Sequence, residues 1–490
     1  MIKYDNDAKQ MKYESLKRVA ELAFNNELDD DHIDQIPFDI IKGSTPHFRC
    51  CVYKERAIIR ERVRLATGKT LSSNRNGEII TVLPAACEGC PIGRFTVTTN
   101  CQKCMAKKCI AACPFGAISV TGNGAYIDQS KCKECGRCAA ACPYHAIADT
   151  LRPCIRSCAV KALTISAESK RAEIEYDKCI SCGACVNNCP FGAISDSSSM
   201  TQVIDELKGD KKVYAMFAPA VEGQFGLANV GMIKSAIMKL GFDGVYEVAL
   251  GADAVSEHEA HDLVEAFESG RKITTSCCPA FFEMIHKHFP KLVEYISPTV
   301  SPMTATARYI RAEHPDSVTV FIGPCIAKKN EIRLVKDSAD YVLTLEELVA
   351  MFDAQGISPE NETDAQNSQD GSIYGKGFAQ SGGVAGSVMH ALEEHGCELD
   401  LKVMKCNGAE DCRKALMILN AGRLQEDMIE GMACMNGCIN GPASILPPNE
   451  TVKNRMKLLK TADDRSITQN LEDHQYSRIQ MINEENERTK

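Results

Sequence analysis

Between residues 201 and 450, short runs rich in β-branched and aromatic residues alternate with segments whose apolar positions recur every three to four residues. KVYAMFAPAV, DGVYEVAL, SVTVFIGP, DYVLT and LKVMKC read as strands, and IKSAIMKLG, AHDLVEAFE and SVMHALEEH as helices. Such alternation favours parallel sheets covered by the helices that connect their strands. Upstream, MKYESLKRVAELAF and YKERAIIRERVRLA carry helical charge spacing. The expected organisation is a mostly helical N-terminal region (1–85), a cysteine-dense region (86–200), an α/β region (201–450) and a polar, helical C-terminal tail (451–490). This agrees with the roughly three domains suggested by the chain's length. The tail is expected to be a solvated helix closing over the α/β region.

Composition changes this picture at one point. Hydrophobic residues at 44% and charged residues at 25% describe an ordinary folded chain. The charge sum is 56 − 65 = −9, and no long basic block appears. That argues against nucleic acid or an anionic membrane as the main partner and leaves room for a positively charged protein partner. No run approaches the roughly 18 apolar residues of a spanning helix, and the opening MIKYDNDAKQ is too charged for a secretory signal. A soluble, cytoplasmic protein is expected. The anomaly is 26 cysteines, because a reducing compartment disfavours disulfides and leaves metal binding or catalysis.

Sixteen of the 26 fall between Cys87 and Cys189. Cys132, Cys135, Cys138 and Cys142 before Pro143, and Cys179, Cys182, Cys185 and Cys189 before Pro190, each follow C-x2-C-x2-C-x3-C-P, the bacterial ferredoxin run. KCKECGRCAAACPYHAI recurs as KCISCGACVNNCPFGAI. Cys101, Cys104, Cys109 and Cys113 before Pro114 differ only by two extra residues before the third cysteine. Three close thiolates wrap one four-iron cube, and the fourth points to the neighbouring cube. Gly136, Gly183 and Ala184 let the backbone approach and turn N–H groups to the sulfurs. The expected sets are Cys101, Cys104, Cys109 with Cys142, and Cys132, Cys135, Cys138 with Cys113. Cys179, Cys182 and Cys185 would take Cys158, from RPCIRSCAVKALTI, leaving Cys87, Cys90, Cys154 and Cys189 for one more. Zinc in four-cysteine sites is the competing reading.

Beyond residue 200, TTSCCPAFFEMI, GPCIAKKNE and EGMACMNGCINGP lie on expected strand-to-helix turns. Pro279 suits the first turn of a helix, and Gly437 and Gly441 permit close approach to a bulky centre. Ligand crevices of α/β domains form at such loop ends. In order and separation, T-S-C-C-P, P-C-x-x-K-x-x-E and E-x-M-A-C-x-x-G-C-x-x-G resemble the three signatures of FeFe-hydrogenases. With the ferredoxin runs, the resemblance covers about residues 85–445.

The resemblance implies an α/β catalytic domain with two parallel-sheet lobes around the active-site cluster, preceded by α+β ferredoxin-like iron–sulfur domains. It implies an H-cluster, in which a four-iron cube shares one cysteine with a di-iron unit bearing CO, cyanide and a dithiolate, together with three to four further 4Fe–4S clusters. Cys278, Cys325 and Cys434 would hold the cube and Cys438 would bridge. Lys328 would donate to a cyanide, helped by backbone near Pro324 and Ala280, and Met432 would pack beside the bridge. Cys277 resembles the family's proton-passing thiol. Glu259, Ser297 and the more superficial Asp262 would follow it. The implied activity is reversible oxidation of dihydrogen with electrons relayed to a ferredoxin-type carrier, the di-iron unit being built by maturation proteins.

Phe281 stands where the commonest form has Trp, Gly323 where it has Met, and Gly441-Pro442 replaces a triple glycine, a combination resembling the branch called group B. Gly323 is expected to open the di-iron side to solvent or gas. Two other functions share the motifs: a hydrogen sensor, and a non-catalytic iron–sulfur scaffold, whose members tend to lose the second thiol of the Cys277-Cys278 pair. HEAHD lacks zinc-hydrolase spacing, SGGVAGS is expected as a close turn beneath the metal centre, and Cys50, Cys51, Cys397, Cys406 and Cys412 are read as packing residues.

Overall fold

The computed structural model describes residues 6–69, 78–87, 90, 93–364, 369–397, 399–462 and 464–483. All five expected strands are present. Gly244–Glu247, Val213–Phe217, Val318–Gly323 and Tyr341–Thr344 lie in that order in a four-stranded sheet whose pairs are all parallel. Val318–Gly323 is buried at every position, which is why VTVFIG runs apolar without alternation. A second parallel sheet has the order Ile273–Thr274, Met428–Met432, Val403–Asn407. Its first two strands escape pattern reading. One is two residues long, and the other, MIEGM, buries all five positions including a glutamate.

The cysteine-dense region is built from two-stranded antiparallel ladders: Phe95–Val97 with Ile147–Asp149, Ile118–Thr121 with Gly124–Ile127, Leu163–Ile165 with Ala172–Ile174, and Ile80–Val82 with Ile194–Asp196. The last ladder carries a strand from before residue 85 into this region. Short helices, among them Arg137–Ala141 and Ala184–Asn188, each begin after a left-handed glycine, Gly136 or Gly183. Three longer helices precede them: Asp7–Asn25, Asp30–Ile40 and Val52–Ala66. The first buries Tyr13, Leu16 and Val19 in the core that covers the four-stranded sheet. No described helix is long and apolar enough to cross a membrane.

The tail departs from expectation. Pro448–Leu458 and Ile467–Asp473 are separate short helices, with Arg455, Ile467, Asn470 and Tyr476 buried. Asn470 donates to Asp253 Oδ2 at 2.7 Å and to the Asp370 carbonyl at 2.9 Å, and Arg455 donates to the Lys376 carbonyl. These polar anchors pull into the core a segment whose composition reads as solvated. Cys50 also departs: it is exposed, whereas Cys406 and Cys412 are buried as packing residues should be.

One buried charge cluster joins three parts of the chain. Asp196 Oδ1 lies 2.7 Å from Lys12 Nζ and its Oδ2 lies 2.7 Å from Lys329 Nζ. Lys12 also reaches Glu346 at 2.6 Å and Lys329 reaches Glu347 at 3.1 Å. Burial alone would raise the Asp196 pKa, but the two ammonium groups reverse that and hold it below the usual carboxylate range. A carboxylate depressed in this way contributes stability above its unfolded pKa that is lost as pH falls through the folded value. Asp196→Ala leaves two buried cations short of a counter-charge and is expected to cost about 3 kcal/mol, the lower end for a broken buried pair because each lysine keeps a glutamate. Denaturant titration near neutral pH checks this. An unchanged midpoint would contradict it.

Candidate active site and iron–sulfur centres

Five parallel strands, three from the larger sheet and two from the smaller, deliver their carboxyl ends to one cavity. Phe217 leads to Ala218, Pro219 and Ala220. Glu247 leads to Val248 and Ala252, and Gly323 to Pro324, Cys325 and Lys328. Thr274 leads to Cys277, Cys278 and Ala280, and Met432 to Ala433, Cys434 and Cys438. Side chains at these ends converge because all strands of a parallel sheet point the same way. The cavity spans about 880 Å³, counting space open to solvent. Its wall carries five of the expected site thiols together with Cys182 from the cysteine-dense region, and Lys328 is its one charged residue among the described residues. Cys278 caps the helix Pro279–His288, with Pro279 in its first turn.

Burial drives the thiol pKa values upward. Cys325 rises to about 11, with Cys278 adding to the effect and Lys328 opposing it. Cys434 and Cys438 also rise, burial again leading, with Cys325 and Cys278 among the thiols that add to it. Buried sulfurs so close to one another are costly as free thiolates and suited to a shared cation centre. Among the described residues, no three His, Cys, Asp or Glu side chains converge on a single ion. A lone zinc needs its sulfur ligands about 2.3 Å from one point, whereas these thiols surround a larger space.

Lys328 Nζ donates to Glu331 Oε2 at 2.6 Å, Ser301 Oγ at 2.9 Å and the Cys277 carbonyl at 3.4 Å. Its three protons are therefore engaged, and donation into the cavity must replace the longest of these bonds. Pro324, Ala280 and Met432 line the cavity; Gly323 does not. A Cβ at Gly323 would meet the Phe321 ring at 3.0 Å and Ala218 at 3.1 Å. The expected opening to solvent or gas is thus already filled, because Phe321, two residues earlier on the same strand face, covers the glycine. Gly441 lines the cavity, and Gly437 and Gly441 both have a further use. A Cβ would strike backbone at 2.6 Å from Gln380 and 2.5 Å from Pro324 respectively, so each admits a neighbouring chain segment. Phe281 is fully buried, its ring against Gly431.

Behind Cys277 lies a run of polar groups. Burial pushes the Cys277 thiol well up, and Glu259 is the foremost charged neighbour adding to that. Glu259 is 1% exposed, and neither of its carboxyl oxygens has a hydrogen-bond partner among the described residues. Its pKa is raised to about 8, first by burial and then by Asp262. Asp262, half-buried, accepts from Ser297 Oγ at 3.2 Å and Thr299 Oγ1 at 2.9 Å.

Glu259 is therefore neutral at pH 7. A raised folded pKa means that its contribution to stability, present below the unfolded value near 4.5, is lost as pH rises through about 8. Glu259→Gln is expected to flatten the stability profile between about pH 4.5 and 8. Paired denaturant titrations of wild type and variant test this, and parallel profiles would refute it.

Sequence reasoning missed Glu430, although it opens a quoted motif. Its carboxylate accepts the N–H groups of Gly382 at 2.7 Å and Ala385 at 3.0 Å, at the start of the helix Gly383–Glu394. SGGVAGS is thus a helix start that seats Glu430. Ser301, which holds both Lys328 and Glu331, was also unsignalled.

Thiols of the cysteine-dense region lie near one another in several places. Cys113, Cys132, Cys135 and Cys138 line one cavity of about 310 Å³ of empty space. Cys109 is raised by burial, with Cys142 and Cys104 beside it. Cys154 rises to about 11 by burial, with Cys189, Cys90 and Cys87 adding repulsion. Cys182 rises to about 12 by burial, with Cys179, Cys158 and then Cys278 as neighbours. Four thiols receive an N–H from the alanine four residues on, as in Ala117 to Cys113, Ala146 to Cys142, Ala162 to Cys158 and Ala193 to Cys189, at 3.2–3.4 Å. The repeated C-x3-A-[IL] therefore marks Cys158 as part of the same pattern despite its missing proline.

Comparison with known proteins agrees with this geometry. The model described as iron-only hydrogenase large subunit, C-terminal domain, matches residues 211–442, and 4Fe–4S dicluster models match residues 125–190 and 100–146. Iron hydrogenase 1 of Clostridium pasteurianum is 28% identical over 298 residues, 50% of this chain and 52% of that protein. The periplasmic Fe hydrogenase large subunit of Nitratidesulfovibrio vulgaris is 27% identical over 310 residues, 51% of this chain and 73% of that protein. A probable cytosolic Fe–S cluster assembly factor of Culex quinquefasciatus is 24% identical over 266 residues, 43% of this chain and 55% of that protein. The matched stretch thus spans about half the length of the Clostridium relative. The chain is thus similar to FeFe-hydrogenases, with residues 211–442 matching an iron-only hydrogenase C-terminal domain and 4Fe–4S dicluster matches preceding it.

Proposed function

We propose that the chain catalyses the reversible oxidation of dihydrogen to protons and electrons, with the two parallel sheets as lobes around a six-iron centre. The observation that carries this reading is the placement of Cys277 in the cavity wall beside Cys278, with buried Glu259 behind it. The donor set suits the centre: thiols for iron, a single ammonium for anionic ligands, and an otherwise apolar wall that keeps bulk water out. Cys278, Cys325 and Cys434 would hold the cube and Cys438 would be shared with the di-iron unit. When bound, that unit supplies the open metal position at which hydrogen is cleaved.

The chain's own part is binding and proton handling. Lys328 holds anionic ligands while Glu331 and Ser301 fix its direction. Cys277 takes or returns a proton at Sγ. Glu259, neutral at pH 7, can accept on one oxygen while donating from the other, passing the proton toward Ser297 and Asp262. Pro324, Ala280 and Met432 close the wall. Cys158, Cys179, Cys182 and Cys185 would hold the cube that supplies the electron path next to the main cavity, which Cys182 also lines. Further cubes would sit at Cys87, Cys90, Cys154 and Cys189, at Cys113, Cys132, Cys135 and Cys138, and at Cys101, Cys104, Cys109 and Cys142, ending at a ferredoxin-type carrier.

The likeness to a cluster assembly factor supports a second reading, a scaffold that holds only cubes. A dye-linked assay separates the two. Anaerobic protein loaded with the di-iron unit is expected to evolve hydrogen from reduced methyl viologen. No hydrogen from fully loaded protein would favour the scaffold.

A further inference from the structure

Among the described residues, the N-terminal helices lend no side chain to the main cavity, yet one of them meets the cysteine-dense region closely. Arg62, on the helix Val52–Ala66, is 5% exposed and lines a smaller cavity together with Cys189. Its guanidinium donates to the Gly192 carbonyl at 2.9 Å, and its Nε has no hydrogen-bond partner among the described residues. The foremost carboxylate near it, Glu346, is already held by Lys12 at 2.6 Å. Burial pushes the Arg62 pKa down to about 10, so the group stays charged at pH 7.

A second buried cation attends the same thiol set. Arg152 is 6% exposed and donates to the Lys170 carbonyl at 2.8 Å. It is the foremost charge opposing the rise that burial imposes on Cys90, and Arg49, 5.4 Å over the Phe191 ring, adds to it. Ala172 and Ala193 give N–H groups to Cys87 and Cys189 at 3.3 and 3.2 Å. The neighbouring set differs. Cys182 and Cys185 have only thiols as their foremost charged neighbours, and Lys287 near Cys179 is opposed by Glu78. Cys154 is among the thiols acting on Cys185, so the two sets adjoin.

We propose that Arg62, backed by Arg152 and Arg49, makes the cube of Cys87, Cys90, Cys154 and Cys189 the most readily reduced of the relay, a store for the first electron to leave the cavity. One electron passes to it from the reduced cube at Cys158, Cys179, Cys182 and Cys185, oxidising one and reducing the other with no bond made or broken. The receiving cube gains one negative charge, which fixed cations stabilise most where water and salt screen them least. Hydrogen yields two electrons and each cube takes one, so a store beside the first cube lets the pair leave in turn. Arg62 touches no substrate and acts through the cube. The proposal rests on the reading that these four thiols hold a cube.

The test uses the whole chain, carrying its cubes but not the di-iron unit, so that the readout is free of hydrogen chemistry. A potentiometric titration followed by electron paramagnetic resonance reads each cube, and the signal of this one is assigned by its loss in Cys87→Ser/Cys90→Ser. In wild type it is expected to be reduced at the highest potential of the relay. In Arg62→Gln its reduced-to-oxidised ratio at a fixed potential should fall at least about tenfold, or about 59 mV for one electron, while the other cubes move less than about twofold. Arg62→Lys, which keeps the charge, should stay within about threefold of wild type. Arg49→Gln should move the same cube in the same direction by about threefold, and it decides the matter if Arg62→Gln fails to fold. Another cube reduced first in wild type, an unmoved ratio in the folded variant, an equal shift in every cube, or an Arg62→Lys shift as large as that of Arg62→Gln would each overturn the proposal alone. If Cys87→Ser/Cys90→Ser removes no cube signal, the reading beneath it is overturned.

Discussion

Replacing Cys277 with Ala is expected to lower hydrogen turnover by about 10³-fold, within the range for loss of a positioned acid–base group, while iron content and the infrared signature stay near normal. The argument is positional. Cys277 reaches the cavity next to Cys278, is 9% exposed, and has Glu259 as its foremost charged neighbour. Its loss removes the one thiol in the wall that the proposed ligand sets leave unassigned, and among the described residues of the wall only Lys328 is otherwise equipped to carry a proton. Lys328 is a poor substitute, since burial lowers its pKa but Glu331, with Cys325 and Cys277, more than restores it. Survival of full activity in the variant would mean that protons travel elsewhere. The same substitution separates the rival functions, because a scaffold has no turnover to lose.

Cys438→Ser is expected to abolish activity and to leave the protein with its cube signals but without the irons of the di-iron unit. Only one protein thiolate would tether that unit, and serine presents an alcohol of much higher pKa in a site whose burial already disfavours the charged form. Cys278, Cys325 and Cys434 would keep three ligands for the cube. Iron analysis and activity are read on the same preparation. A variant that retains the di-iron irons would place the bridge on another residue.

Much of this arrangement was legible in the sequence, for physical reasons. Thiolate spacing is dictated by the object it wraps, so candidate cysteine groups could be set out before any coordinates, and the structure places Cys113, Cys132, Cys135 and Cys138 around one cavity and Cys154 near Cys189, Cys90 and Cys87. The strand Val318–Gly323 announces itself because both its faces are buried. Met428–Met432 does not, because Glu430 sits among apolar positions and its compensation, two N–H groups of a helix start, is distant in sequence. Gly323 suggested a hole, yet whether a missing side chain leaves space depends on its neighbours, and Phe321 fills it. The tail misled in the opposite sense. Arg455 and Asn470 read as solvent-facing until their partners near Lys376 and Asp253 are known. Lys328 was legible as a residue, but its engagement with Ser301 and Glu331 was not.

Every role proposed for these residues requires a compound iron centre in the cavity between the sheets. Infrared spectroscopy of anaerobic protein, loaded with its di-iron unit, tests this most directly. Stretching bands of bound CO and cyanide that shift when hydrogen is admitted are the predicted result. A preparation with full cube content and loaded under the same conditions, yet silent in that region of the spectrum, would contradict it.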